Sequence, residues 1–150
     1  MAGNWMAAGM AALALAGCSV GTAPGGGDLS GSFDAAVGLQ RAYQASRQQA
    51  ERCLVGDGGY EVVSNLDQSA SRGHLYVRPK LVEGEVARVE LSAIDANRTR
   101  VQVSMWGKSI WNEGAMRAMH DAVVFGVPSC TTYMPTDKDS NKNSWFMQGK

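Results

Sequence analysis

Between Tyr60 and Trp106 the chain alternates apolar and polar residues, and that period of two most constrains its fold. In Val86–Asp95, the residues Ala87, Val89, Leu91 and Ala93 share one face, while Arg88, Glu90 and Ser92 share the other. Arg100–Trp106 repeats the pattern with Val101, Val103 and Met105, and His74–Pro79 does so with Leu75 and Val77. Tyr60–Leu66 is a fourth strand-like run, rich in Val. Successive side chains of a strand point to opposite faces, so this pattern describes an antiparallel sheet with one dry and one wet side. Asp95-Ala96-Asn97-Arg98 has the chemistry of a hairpin connection.

Helical periodicity flanks the strands. Residues 33–54 place Ala36, Leu39, Tyr43, Ala50, Cys53 and Leu54 on one face, with Ser32 or Asp34 as the expected cap and Gly56–Gly59 as the stop. Residues 110–125 repeat Trp111, Ala115, Ala118, Met119 and Ala122 at spacings of three and four, and Gly126 and Pro128 end that run. The order is helix, four antiparallel strands, helix. It predicts an α+β, two-layer sandwich with both helices on one face of the sheet.

The N-terminus carries a different kind of information. Residues 1–17 contain no charged side chain, and residues 5–17 (WMAAGMAALALAG) are too few to cross about 30 Å of hydrocarbon as a helix. The length suits the apolar region of a signal peptide. It closes on Leu15-Ala16-Gly17-Cys18, which resembles the lipobox of bacterial lipoproteins. That resemblance implies that Cys18 is lipidated and becomes the first residue of the mature chain. Several acyl chains, at about 0.8 kcal/mol per buried methylene, hold a protein on a bilayer firmly. Ser19, where an Asp would favour retention in the inner membrane, implies the periplasmic face of the outer membrane. A basic segment normally precedes such an apolar run, whereas the first basic residue here is Arg41. An upstream translation start is therefore expected.

These readings divide the chain into a signal peptide (1–17), a lipidated cysteine with a Gly/Ser-rich tether (18–32), a globular domain (33–130) and a polar tail (131–150). The tether would reach roughly 20 Å. With Cys18 lipidated, Cys53 and Cys130 remain. A disulfide between them is expected in an oxidising compartment; the alternatives are two buried thiols or a reactive one. In a simple meander the two cysteines sit far apart. The pairing then needs the chain after Gly126 to fold back, the helices to cross steeply, or a different topology.

No motif for catalysis or cofactor binding stands out, and no cofactor is expected. Gly56–Gly59 reads as a turn rather than a phosphate cradle. His74 and His120 would need each other and a third group to form a metal or acid–base site; each reads as a surface or hydrogen-bonded histidine. Asp137, Asp139, Asn141 and Asn143 echo the start of a calcium loop, but Lys142 and Gln148 stand where Gly and Glu are needed, so no metal site is expected. Asn97-Arg98-Thr99 reads as part of the hairpin rather than a glycosylation site. Lys and Arg number 14 and Asp and Glu 14, which gives no electrostatic footprint for nucleic acid. Tyr76, on the polar strand face, and Trp106, on the outward register of its strand, are candidate anchors for a partner. Trp106 has a second reading, as cover for the junction between the last strand and the second helix.

The element order also resembles the helix-grip arrangement of the repeated domains in a lipoprotein of the outer-membrane β-barrel assembly machine, and small proteobacterial envelope lipoproteins. The expected partners are the membrane, through the N-terminal lipid, and an envelope protein. The expected role is a non-enzymatic interaction or accessory module. Alternatives are a cell-wall or envelope enzyme with a site around His74 or His120, and a small-molecule or lipid binder using space between helices and sheet.

Overall fold

The computed structural model describes residues 29–130 and the backbone of 146–148. The lipobox, most of the tether and the calcium-loop echo lie outside these residues. The described chain is an α+β sandwich, a single antiparallel sheet with two helices on one face. Its elements are β1 (Leu29–Ala35), α1 (Leu39–Cys53), β2 (Tyr60–Asp67), β3 (Arg72–Pro79), β4 (Ala87–Asp95), β5 (Arg98–Met105), α2 (Glu113–Phe125) and β6 (Phe146–Gln148). The sheet order is β2-β3-β4-β5-β1-β6.

The four expected strands form a meander, and the alternating residues point as the pattern requires. Leu75, Val77, Val89, Leu91, Val101, Val103 and Met105 are buried on the helix side. The β4–β5 hairpin turns where expected, and the Asp95 carboxylate accepts from the Asn97 N–H at 2.9 Å. Ala93 is only half-buried, because the ladder slips between Ala93 and Asp95.

Several boundaries differ from the expectation. Residues 29–35 are a strand, not the end of the tether and the start of a helix. Leu29, Gly31, Phe33 and Ala35 lie opposite Met105, Val103, Val101 and Thr99, so this segment also alternates inward and outward. Its Gly and Ser content resembles a linker, yet pairing with β5 satisfies the backbone groups on one side of it, and Leu29 and Ala35 are buried. Nor is the tail of 131–150 wholly apart from the sheet, since Phe146–Gln148 pairs antiparallel with Leu29–Gly31.

Helix α1 therefore starts later than expected, at Leu39. Ser32 and Asp34 are in β1 and cap nothing; the N-cap is Gly38, with no side-chain bond. A Cβ on Gly38 would stand 2.8 Å from the Ala96 carbonyl oxygen, so the helix start rests directly on the β4–β5 turn. Helix α2 likewise starts later, at Glu113. The Asn112 side chain accepts from the Ala115 N–H at 3.2 Å, and Gly126 closes the helix in the left-handed conformation (φ 73°).

Helix α1 lies over β2–β4 and α2 over β1 and β5, with the helices packed side by side. Met116, Met119, Ala122 and Val123 of α2, together with Ala42, Tyr43 and Ala50 of α1, complete the core. Gly73 in β3 makes room for α1: a Cβ there would come within 3.1 Å of the Tyr43 ring and 3.2 Å of Leu66. Trp111, ahead of α2, is buried and donates its indole N–H to the Leu54 carbonyl at 3.0 Å.

Candidate functional site

The sheet face away from the helices is the surface with the most chemistry. Each outward residue stands beside outward residues of neighbouring strands, which produces polar ladders. One runs Asn65, His74, Glu90, Gln102 and Ser32; a second runs Asp67, Arg72, Ser92, Arg100 and Asp34. Tyr76 lies between Val63 of β2 and Arg88 of β4. A cleft of ≈ 460 Å³ opens on this face, lined in part by Arg72, His74, Arg88, Glu90, Ser92 and Gln102.

Charge on the face is largely matched. Arg88 donates to both oxygens of Glu85 at 2.9 and 2.7 Å and lies 3.5 Å from Glu90. The hydrogen-bonded Glu85 carboxylate raises the Arg88 pKa above its ordinary value. The same guanidinium sits 5.3 Å from the Tyr76 ring centre, which fixes that ring from one side. His74 lies parallel to Tyr76, with ring centres 6.4 Å apart. Arg100 holds Asp34 with bonds of 2.8 and 3.1 Å, and the Asp34 carboxyl is lowered from its usual pKa chiefly by that hydrogen bond. Arg78 bonds Glu61 at 2.7 Å.

The expected site residues are spread over the molecule. Tyr76 is half-exposed within the wet face. Trp106 packs against the core and lies 6.0 Å from the Trp111 ring, with the Lys108 ammonium 5.6 Å above it. It covers the junction of β5 with the segment leading into α2. His120 lies in the helix layer, edge-on to Phe33 at 4.5 Å and 3.0 Å from the Asp121 carboxylate. The sheet separates it from His74, so the two histidines form no common centre. Among the described residues no group of three or more His, Cys, Asp or Glu side chains is placed to hold a metal ion. No helix among them is long and apolar enough to cross a membrane.

Cys53 and Cys130 are joined, with Cα atoms 5.1 Å apart. The fold-back after Gly126 makes this geometry. Gln49, 1% exposed, donates to the Ser129 carbonyl at 2.8 Å and accepts from its N–H at 2.9 Å. Arg52 donates to the Pro128 carbonyl at 3.3 Å. Sequence reasoning missed Gln49, assigning it to no role. A signal was present, because Gln49 lies one turn before Cys53 and falls on the same helix face. A second cleft, of ≈ 430 Å³, lies beside the disulfide and is bordered by Gln49, Leu54, Ile110, Asn112 and Ala115.

No protein-family model matches the chain, and no curated protein matches it. Among solved structures, the crystal structure of the di-domain ARO/CYC StfQ from the steffimycin biosynthetic pathway is similar at a TM-score of 0.41 and 12% sequence identity. The match covers 65% of this chain and 43% of that one, so this chain spans less than half that protein's length. A likeness this distant carries no functional information.

Proposed function

We propose that this chain is a lipid-anchored protein of the bacterial outer membrane. Its domain faces the periplasm and serves as a non-enzymatic docking module for an envelope protein. The observation that carries the reading is the Cys53–Cys130 bridge in a chain whose sequence also has a lipobox-like run ending at Cys18. Disulfides persist in oxidising compartments, and the lipobox sends a chain to such a compartment. Assigning Cys18 to lipid also leaves the other two cysteines for each other. The docking surface is the wet sheet face around Tyr76, where Arg88 and His74 hold the aromatic ring in place. A half-exposed tyrosine beside a guanidinium suits an interface anchor, because Tyr and Arg are enriched among the residues that carry binding energy.

Mass spectrometry of the chain purified from membranes tests the anchor. A mature N-terminus at Cys18 carrying acyl mass is expected; an unmodified Cys18 within an uncut chain overturns it. Photo-crosslinking from Tyr76 in intact cells tests the docking face. One envelope protein is expected to be captured, and its capture should fall at least tenfold with Arg88→Ala. Capture of no protein under several growth conditions removes the docking role while leaving the anchor intact.

A further inference from the structure

The strand β2 is an edge of the sheet, and its free side carries no hydrogen bond among the described residues. Which groups it leaves open follows from the ladder. Lys80 N–H donates to the Gly59 carbonyl at 3.1 Å. Antiparallel neighbours alternate between bonded and non-bonded pairs. Glu61, Val63, Asn65 and Asp67 therefore bond to β3, while Tyr60, Val62, Ser64 and Leu66 turn their N–H and C=O groups to the open side. Pro79, which has no N–H, lies opposite Tyr60, at a position where none is needed.

Most of the usual protections of an open edge are missing, its only charges being Glu61 and Asp67. Tyr60–Asp67 contains no Pro and no Lys, is eight residues long, and pairs with β3 without a bulge. Val62, Val63 and Leu66 are only half-covered. Such an edge accepts another strand, and its side chains fit a second copy of itself. A two-fold axis perpendicular to the sheet keeps the helices of both copies on the same side, so opposed residues must share a face. With the axis at Val63, Val63 meets Val63, Glu61 meets Asn65, Val62 meets Ser64 and Tyr60 meets Leu66. In this register every outward-turned backbone group of one copy faces an outward-turned group of the other. Moving the axis to Ser64 sets Glu61 against Asp67, two like charges. Moving it to Val62 carries Leu66 past the end of the partner strand, opposite Gly58.

We propose that the β2 edge is a homodimer interface, in which two copies pair β2 with β2, antiparallel and centred on Val63, to make one continuous sheet. The interface does not need the lipid anchor, and it borders the docking face, where Val63 stands beside Tyr76. Val63 and its symmetry mate form a non-bonded pair with Cα atoms about 4.5 Å apart, within reach of a disulfide.

The test uses the full chain, purified in detergent from whole cells. Sedimentation is expected to give a dimer. Val63→Cys is expected to form a covalent dimer on a non-reducing gel, whereas Asp67→Cys, which faces Gly59 of the other copy, is not. Val63→Lys places two ammonium groups together only in the dimer. It is expected to weaken the dimer about tenfold or more while the thermal midpoint under monomeric conditions stays unchanged. Ser64→Pro removes an open-edge donor and no bond to β3, and is expected to act the same way. A monomeric native chain overturns the interface. So does a dimer indifferent to Val63→Lys, or a Val63→Cys adduct with a different protein.

Discussion

Gln49 shows how much can rest on one side chain. Its amide is buried and meets both backbone groups of Ser129, as a neighbouring strand would. Gln49→Ala leaves those groups without this partner in a half-buried place, and such a loss costs about 1–3 kcal/mol. Gln49→Glu retains the acceptor but loses the donor, so the Ser129 carbonyl then faces a carboxylate. Both variants are expected to lower the urea midpoint of unfolding. Gln49→Glu is expected to recover as acid protonates the new carboxyl and restores a donor, whereas Gln49→Ala is expected not to. Such roles are poorly legible in sequence. An isolated Gln on a helix reads as solvated until its partner is known, and Ser129 lies in an irregular segment 80 positions away.

The elements differ in how plainly the sequence announces them. The meander β2–β5 was legible because one face is dry and the other wet, which imprints a period of two on the residues. Helix α2 is legible from its spacing and from Gly126, although the spacing alone extends it back to Ile110 and the helix starts at Glu113. Strand β1 was not. Its inward set includes Gly31, which leaves only Leu29, Phe33 and Ala35 to mark the alternation, and its outward Ser30 and Ser32 continue a linker-like composition. What secures β1 is remote in sequence, namely the β5 ladder and the Arg100–Asp34 pair. That pair has a sign that can be worked out. The folded Asp34 pKa lies below its unfolded value, so its contribution is complete above the ordinary carboxylate range and is lost as pH falls through the folded value. Asp67 is lowered by Ser69 and Ala70, and Asp95 by Asn97 and Arg98, in the same direction. Unfolding midpoints followed from about pH 5 to pH 2 are expected to fall for the native chain. They should fall less steeply for Asp34→Asn. An equal slope would show that the pair does not couple β1 to acid unfolding.

At the scale of the whole molecule, the disulfide joins residues 77 apart in sequence and closes the chain around β2, β3, β4, β5 and α2. A simple meander alone would leave the two cysteines at opposite ends of the helix layer. The short return after Gly126, held by Gln49 and Arg52, brings them together. Chain-entropy reasoning gives a bridge over such a span about 4 kcal/mol. The double variant Cys53→Ser with Cys130→Ser is expected to unfold at markedly lower urea, with the sheet retained under native conditions. An unchanged midpoint would show that the bridge adds nothing to stability. A mechanical consequence follows. Tension applied between the two ends of the chain passes from Cys53 to Cys130 through sulfur and cannot lengthen the peptide between them. Strands β1 and β6 and helix α1 lie outside the loop, take the whole load and peel away, while the four-stranded meander and α2 remain a closed loop. A cut within that loop frees no fragment. Pulling on the two ends would therefore strip three elements and stop.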